Sequence, residues 1–296
     1  MAGKGYYFDP TIGKQAGDFE HSAQLDLGYA LNLTAAGEDL VELPFDLKRK
    51  VFAIKHCVDL RDRGKATVTV TRTYFAQMAD SLRFDIGSTE FSEVQEDFFA
   101  RAKEDISVPL KVIKPFTVIK DDTRTNTLIT EERYEIVDLE DAYEKDRIRV
   151  TTNFHRGFPY PDDERFQLQT TAMGSLEHDI EILYPNDIDW NPCSESIANP
   201  CFEFSAKICA EGRRLESHTR VTALREVVDH DGIEQYNNDA SRLYGRRHNR
   251  FKVHGYDRLP ATGRGEYSIL RTAVTSLLEA LAIASVIVIV FVHGWL

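Results

Sequence analysis

Apolar and polar positions alternate most strictly between residues 65 and 74. Ala66, Val68, Val70 and Tyr74 fall on one side of an extended chain, and Thr67, Thr69, Thr71 and Thr73 on the other. A period of two rich in β-branched residues predicts a strand with one buried and one wet face. The stretch 47–60, with Val51, Phe52, Ile54 and Val58, has strand composition, and Asp62-Arg-Gly64 supplies a turn between the two. The period then changes. Phe91, Val94, Phe98 and Ala102 recur at helical spacing, with Glu90 early and Lys103 late to complement the dipole, which predicts a helix over 88–104 inserted after Gly87. Beyond Pro109, the stretches 110–119 and 125–137 return to strand composition around a polar turn at 120–124.

A charged patch at 138–146 marks a boundary, and a second set of strands is predicted over 147–154, 166–171, 176–184, 201–209 and 215–224. Pro159, Pro161, Pro185, Pro192 and Pro200 punctuate the loops between them. An amphipathic helix follows over 229–244, with Asp229 as cap and Ile233, Tyr236, Ala240 and Leu243 on one stripe. The expected class is mainly β with some α. Two sheet-containing, β-sandwich-like units (47–137 and 147–245) are followed by a C-terminal transmembrane helix.

That last element rests on residues 273–292, AVTSLLEALAIASVIVIVFV, in which Glu279 is the only charge. About twenty mostly apolar residues span a bilayer, and Trp295 stands where interfacial aromatics stand. A buried core helix or strand is the other reading, but a Val/Ile run at the end of a chain is hard to cover on all sides. Between 242 and 264 seven bases (Arg242, Arg246, Arg247, Arg250, Lys252, Arg258, Arg264) face one acid, Asp257. Of these, Arg246, Arg247, Arg250 and Lys252 are the membrane-proximal candidates in a linker over 246–272. They suit anionic headgroups and a cytoplasmic side; the alternative is a solvated linker. No apolar segment of signal-peptide type follows Met1.

Composition narrows the function. In 296 residues, 42% hydrophobic and 28% charged, there is room for one large or two modest globular units. A net charge of −12 argues against nucleic acid as a partner. Cys193, Cys201 and Cys209 recur every eight residues without metal-ligand spacing, so no metal or cofactor is expected, while one disulfide among them stays open. Cys57 follows His56 directly. Strand neighbours point to opposite faces, so the pair is a poor catalytic dyad and Cys57 reads as a small buried hydrophobe. His56, His155, His178, His218 and His230 lie among many carboxylates with no spacing that marks a hydrolytic site.

The chain opens with Tyr7-Phe8-Asp9-Pro10-Thr11 and then Gln15-Ala16-Gly17, followed by Gly28-Tyr29-Ala30-Leu31. Downstream come Ala79-Asp80-Ser-Leu-Arg83 and Asn126-Thr-Leu128-Ile-Thr130-Glu-Glu132-Arg-Tyr134. Ile180-Glu-Ile-Leu-Tyr184-Pro185 and Pro200-Cys-Phe202-Glu-Phe204 complete the series. In this order the segments resemble the C-terminal half of large bacterial transglutaminase-like proteins, from about Gly5 to Tyr244.

The resemblance implies that 1–46 is the end of a transglutaminase-like core followed by β-rich domains, in an exported protein. The family's catalytic trio runs Cys, His, Asp along the chain. Only Asp9 has a matching position, and eight residues precede it. The implied function is a membrane-anchored, noncatalytic β-domain protein that binds or scaffolds a protein partner. The alternative is one part of a split enzyme whose Cys and His lie on an upstream chain. The side of the membrane on which the body lies is contested between the family's export and the basic linker.

Overall fold

Strands form wherever the two-residue period is strong, and their order in space is not their order in sequence. The computed structural model describes residues 15–18, 20–23, 29–34, 37–42, 48–62, 65–137, 147–151, 168–169, 174–225, 227–228, 230–245 and 248–252. All lie within one compact unit, Met1–Leu259. Strand β1 (Tyr29–Thr34) pairs with β2 (Gly37–Glu42) as a separate hairpin. The main chain of strands then runs β3 (Lys50–Asp59), β4 (Thr67–Phe75), β5 (Leu110–Asp122), β6 (Thr127–Ile136), β7 (Arg147–Thr151) and β8 (Leu168–Gln169). It continues with β9 (Ser175–Leu183), β10 (Cys193–Ala198), β11 (Phe202–Glu211), β12 (Arg214–Ala223), β13 (Val227–Val228) and β14 (His248–Lys252). Helices α1 (Gln77–Ser88) and α2 (Phe91–Asp105) fall between β4 and β5, and α3 (Ile233–Gly245) follows β13.

Eight strands make one mixed sheet in the order β10-β11-β12-β9-β3-β4-β6-β5. All neighbours are antiparallel except β3 and β9, which run parallel. The protein is mainly β, but the expected pair of sandwich-like units meets a different arrangement. The strands placed in 47–137 and 147–245 join edge to edge through the β3–β9 pairing, and the helices cover one face. The physical reason is that β3 and β9 each keep a buried row: Val58 and His56 on β3, and Leu176, His178, Ile180 and Ile182 on β9. Their open edges satisfy each other's backbone groups instead of ending two sheets.

On the covered face, Val58, Val68, Val70, Tyr134, Ile180, Ile182 and Leu215 pack with Ala102 and Ile106 at the end of α2. Phe98 of α2 stacks on Phe116 of β5 with ring centroids 4.2 Å apart. At the other end, the stripe expected on α3 is buried against Leu176, Phe202, Phe204 and Val221. The opposite face is wet and tied by ion pairs such as Lys55–Glu181 (2.7 Å) and Arg214–Glu181 (2.6 Å).

The single inserted helix over 88–104 is corrected to two. Gly87 lies inside α1, and α2 begins at Phe91. Helix α1 buries Ala79, Asp80 and Leu82 and exposes Met78 and Phe84, so its apolar stripe is too thin to declare itself. Arg72 breaks the apolar row of β4: it is buried on the face that Val68, Val70 and Tyr74 share. The linker expected from 246 begins in part as a strand, since Arg250 and Lys252 lie on β14 opposite Arg149 and Arg147. Arg246, Arg247 and the apolar segment 273–292 lie outside the described residues. Among the described residues, no helix is long and apolar enough to cross a membrane.

Candidate functional site

A polar node forms where α1 meets the turn between β5 and β6. That turn is shaped by Asp122, whose Oδ1 accepts the backbone N–H groups of Arg124 (3.2 Å) and Thr125 (3.1 Å). The Thr125 contact holds the Asp122 carboxyl below its usual range. Asn126 closes the turn at φ +47°, a left-handed conformation that asparagine tolerates better than most residues. Its carbonyl accepts the N–H of Ala76 at 2.8 Å, just before α1. This brings the wholly buried Asn126 side chain against Asp80, itself 6% exposed on the first turn of α1.

Arg83, one turn further along α1, braces both. Its Nη1 donates to Asp80 Oδ1 (3.0 Å) and Asn126 Oδ1 (2.6 Å), while Nε and Nη2 donate to Asp121 Oδ1 (3.0 and 2.8 Å). Asn126 Nδ2 donates to Asp80 Oδ2 at 3.1 Å. With their other atoms fixed in this way, Asp80 and Asn126 meet both backbone groups of Ala16. The Ala16 N–H donates to Asp80 Oδ1 (3.1 Å), and Asn126 Nδ2 donates to the Ala16 carbonyl (2.9 Å). The next two amides, Gly17 and Asp18, donate to the carbonyls of Thr123 (2.8 Å) and Arg124 (3.0 Å). The side chains act as a clamp on a strap that runs from Gln15 to Ala23.

The strap is closed locally. Asp18 Oδ1 accepts the N–H groups of Glu20 (3.0 Å) and His21 (3.1 Å) and contacts His21 Nδ1 at 2.5 Å. Gln15 Nε2 donates to the Ala23 carbonyl at 3.1 Å. Gly17 takes φ +102°, and a Cβ there would lie 2.7 Å from the backbone of His21 and Ser22.

A second polar group lies beneath the covered face. Arg72 Nη1 donates to Glu132 Oε1, and Tyr134 Oη donates to Glu132 Oε2 at 2.6 Å. Burial raises the Glu132 carboxyl above its usual range, against the pull of Arg72. The Tyr74 phenol is likewise pushed up, to about 12, mainly by burial. Across the β3–β9 seam, His56 Nδ1 and His178 Nε2 stand 2.8 Å apart, one donating to the other. Burial holds both imidazoles low: His178 falls to about 3, and His56 falls well below its ordinary value with help from His178 and Arg72.

The other sequence candidates do not assemble. Cys57 faces away from His56 and is half-buried on the wet side rather than fully buried. Burial and the Glu181 carboxylate push its thiol up, away from the thiolate a nucleophile needs. None of the four cysteines is disulfide-bonded. His218 pairs with Asp179 at 2.6 Å on the exposed face, apart from His56 and His178. His230 lies in the short 3-10 turn before α3. Asp9 and His155 lie outside the described residues. Among the described residues, no cluster of three or more His, Cys, Asp or Glu could hold a metal ion. An open basin of about 760 Å³ touches Asp59, Arg61, Lys65, Arg133 and Glu135, where acids and bases alternate and leave no strong field of either sign.

Sequence reasoning quoted Asp80, Arg83 and Asn126 as parts of motifs without giving them a role. The signal available was their type: an amide just before β6 and two charged groups one turn apart on α1. Comparison with protein-family models, curated proteins and solved structures returns no match.

Proposed function

We propose that this chain is a noncatalytic β-domain protein, tethered to a membrane by residues 273–292, that binds or scaffolds a protein partner as the C-terminal half of a transglutaminase-like protein does. The observation that carries this reading is the convergence of three segments of the resemblance. Gln15-Ala16-Gly17, Ala79-Asp80-Ser-Leu-Arg83 and the Asn126 segment are separated by up to 110 positions and meet in one hydrogen-bonded node. A node of that kind gives the shared residue types a structural purpose. The raised Cys57 thiol, turned away from His56, favours binding over chemistry.

The test is cross-linking of the full chain in native membranes, followed by capture and mass spectrometry. Retention of the chain after alkaline carbonate washing and a reproducible protein partner are expected. Release by carbonate removes the tether, and the absence of any reproducible partner removes the scaffold.

A second reading is favoured by the strap. It fixes Ala16 against α1, seven positions after Asp9 in sequence, and the reading is that a core supplied by another chain docks beside this end of the chain. The nucleotides upstream of the coding sequence decide it: a Cys-Trp-like and a His-Ala-Trp-like segment are required there.

A further inference from the structure

We propose that the Asp80–Asn126 clamp is a receptor for a peptide backbone, filled in cis by the chain's own strap and able to take the same element from another polypeptide. The ligand class is a short turn-forming peptide of the type Gln-small-Gly-Asp. The inference rests on the binding reading above and names the site and chemistry through which a partner would be held.

Three features separate this contact from ordinary loop packing. The receptor is built without its ligand: Arg83 and Asp121 hold Asp80 and Asn126 in place through bonds that do not involve the strap. The ligand is also built without its receptor, since Asp18, Gly17 and Gln15 close the turn within the strap itself. Finally, what joins the two is backbone recognition. The N–H and carbonyl of Ala16 are read by side chains, and the amides of Gly17 and Asp18 by carbonyls of the β5–β6 turn.

Receptor and ligand that are each preorganised lose little conformational freedom on meeting. The strap is therefore an exchangeable ligand at high effective concentration, and a competing peptide meets a site that is occupied but complete. The requirement for a small residue followed by glycine comes from the Gly17 conformation, which carries no Cβ without a clash.

The test is fluorescence anisotropy with a fluorescein-labelled synthetic peptide of residues 14–23 and the full chain in detergent. Ala16→Pro in the protein deletes the N–H that Asp80 accepts, and Gly17→Ala breaks the turn; each frees the clamp without touching it. Both variants are expected to bind the peptide about tenfold or more tightly than wild type, the equivalent of one charge-assisted hydrogen bond removed from the cis competitor. Adding Asn126→Ala to either is expected to reverse the gain. A peptide with proline in place of Ala16 serves as a control that does not depend on protein folding, and it is expected to bind at least about tenfold more weakly. Equal binding of the two peptides, or no binding to either strap-released variant, overturns the proposal. Peptide binding lost with partner capture retained removes the receptor alone. Partner capture lost with peptide binding retained removes the scaffold alone.

Discussion

Acid should open this protein at the seam between β3 and β9. His56 and His178 are 0% and 1% exposed, and their nitrogens lie 2.8 Å apart, so at most one shared proton lies between them. Protonating either ring places a cation in the sheet interior with Arg72 nearby; Glu132 is already committed to Arg72 and Tyr134. The folded state therefore keeps both rings neutral, with His178 at about 3 and His56 also well below the ordinary histidine value.

A folded value below the unfolded one means that the unfolded chain binds more protons. Stability is full above the unfolded pKa near 6.5 and falls as pH drops toward the folded value. An imidazole held neutral costs about 1.4 kcal/mol per pH unit in that window, so His178, at about 3, costs about 2 kcal/mol by pH 5. That is a large part of a domain's total stability of about 5–15 kcal/mol, and His56, also held low by burial, acts in the same direction. Glu132, raised by burial, acts in the opposite direction, because its protonation is easier in the folded state. Asp59, Asp122 and Glu181 are depressed and withdraw stability only below their unfolded values near 4.

Between pH 6.5 and 5 the histidine effect is thus separated from the depressed carboxylates, with Glu132 opposing it. Urea unfolding at half-unit steps is expected to show the midpoint falling through that window, and a His178→Gln variant is expected to show a shallower fall. A wild-type midpoint that stays flat from pH 7 to 5 refutes the reasoning.

Glu132→Gln leaves the buried Arg72 charge without its carboxylate and is expected to cost about 3–5 kcal/mol in urea unfolding, whereas the double change Arg72→Met with Glu132→Leu recovers most of it. Gly174→Ala forces a side chain into φ +70° with its Cβ 2.5 Å from the Arg49 carbonyl. That position is where β9 comes up beside β3, so a loss of about 1–3 kcal/mol is expected by the same measurement. Brief alkylation with iodoacetamide and peptide mapping is expected to modify exposed Cys193 first, with Cys57 slower because burial and Glu181 oppose its thiolate.

Local structure was legible where one period dominated. The alternation at 65–74 identified β4, and the stripe of Ile233, Tyr236, Ala240 and Leu243 identified α3, because each element buries one face whatever its neighbours are. Helix α1 was not legible: its buried face includes Asp80, and a charged group on an inner face cancels the amphipathic signal. Strand β10 was missed for a related reason, since Cys-Ser-Glu-Ser-Ile-Ala is a short, largely polar edge that buries chiefly Ile197. The parallel β3–β9 pairing joins residues more than a hundred positions apart, and periodicity carries no information on which strand lies beside which. One clue was present. His56 sits between Ile54 and Val58, and His178 between Leu176 and Ile180, each in the inward register of its strand.

The polar groups that periodicity treats as exceptions are also what makes the arrangement unique. Apolar burial is nondirectional, so sliding β9 by two residues along β3 would keep its aliphatic row on the inward face. It would not keep His56 against His178, and two buried imidazoles without their mutual hydrogen bond are expensive. The clamp works in the same way. Ala16 contributes little apolar area, so hydrophobicity does not choose its place; Asp80 and Asn126, with fixed donors and acceptors, do. The core therefore supplies the bulk of the stability, and two small hydrogen-bonded groups add directional requirements that apolar burial lacks. The strap is the one of the two near the surface. Its Gln15, Ala16 and Gly17 are only part-buried, while the histidine pair is sealed. A contact that selects structure and can still be released from solvent is the one of the two suited to engaging a partner.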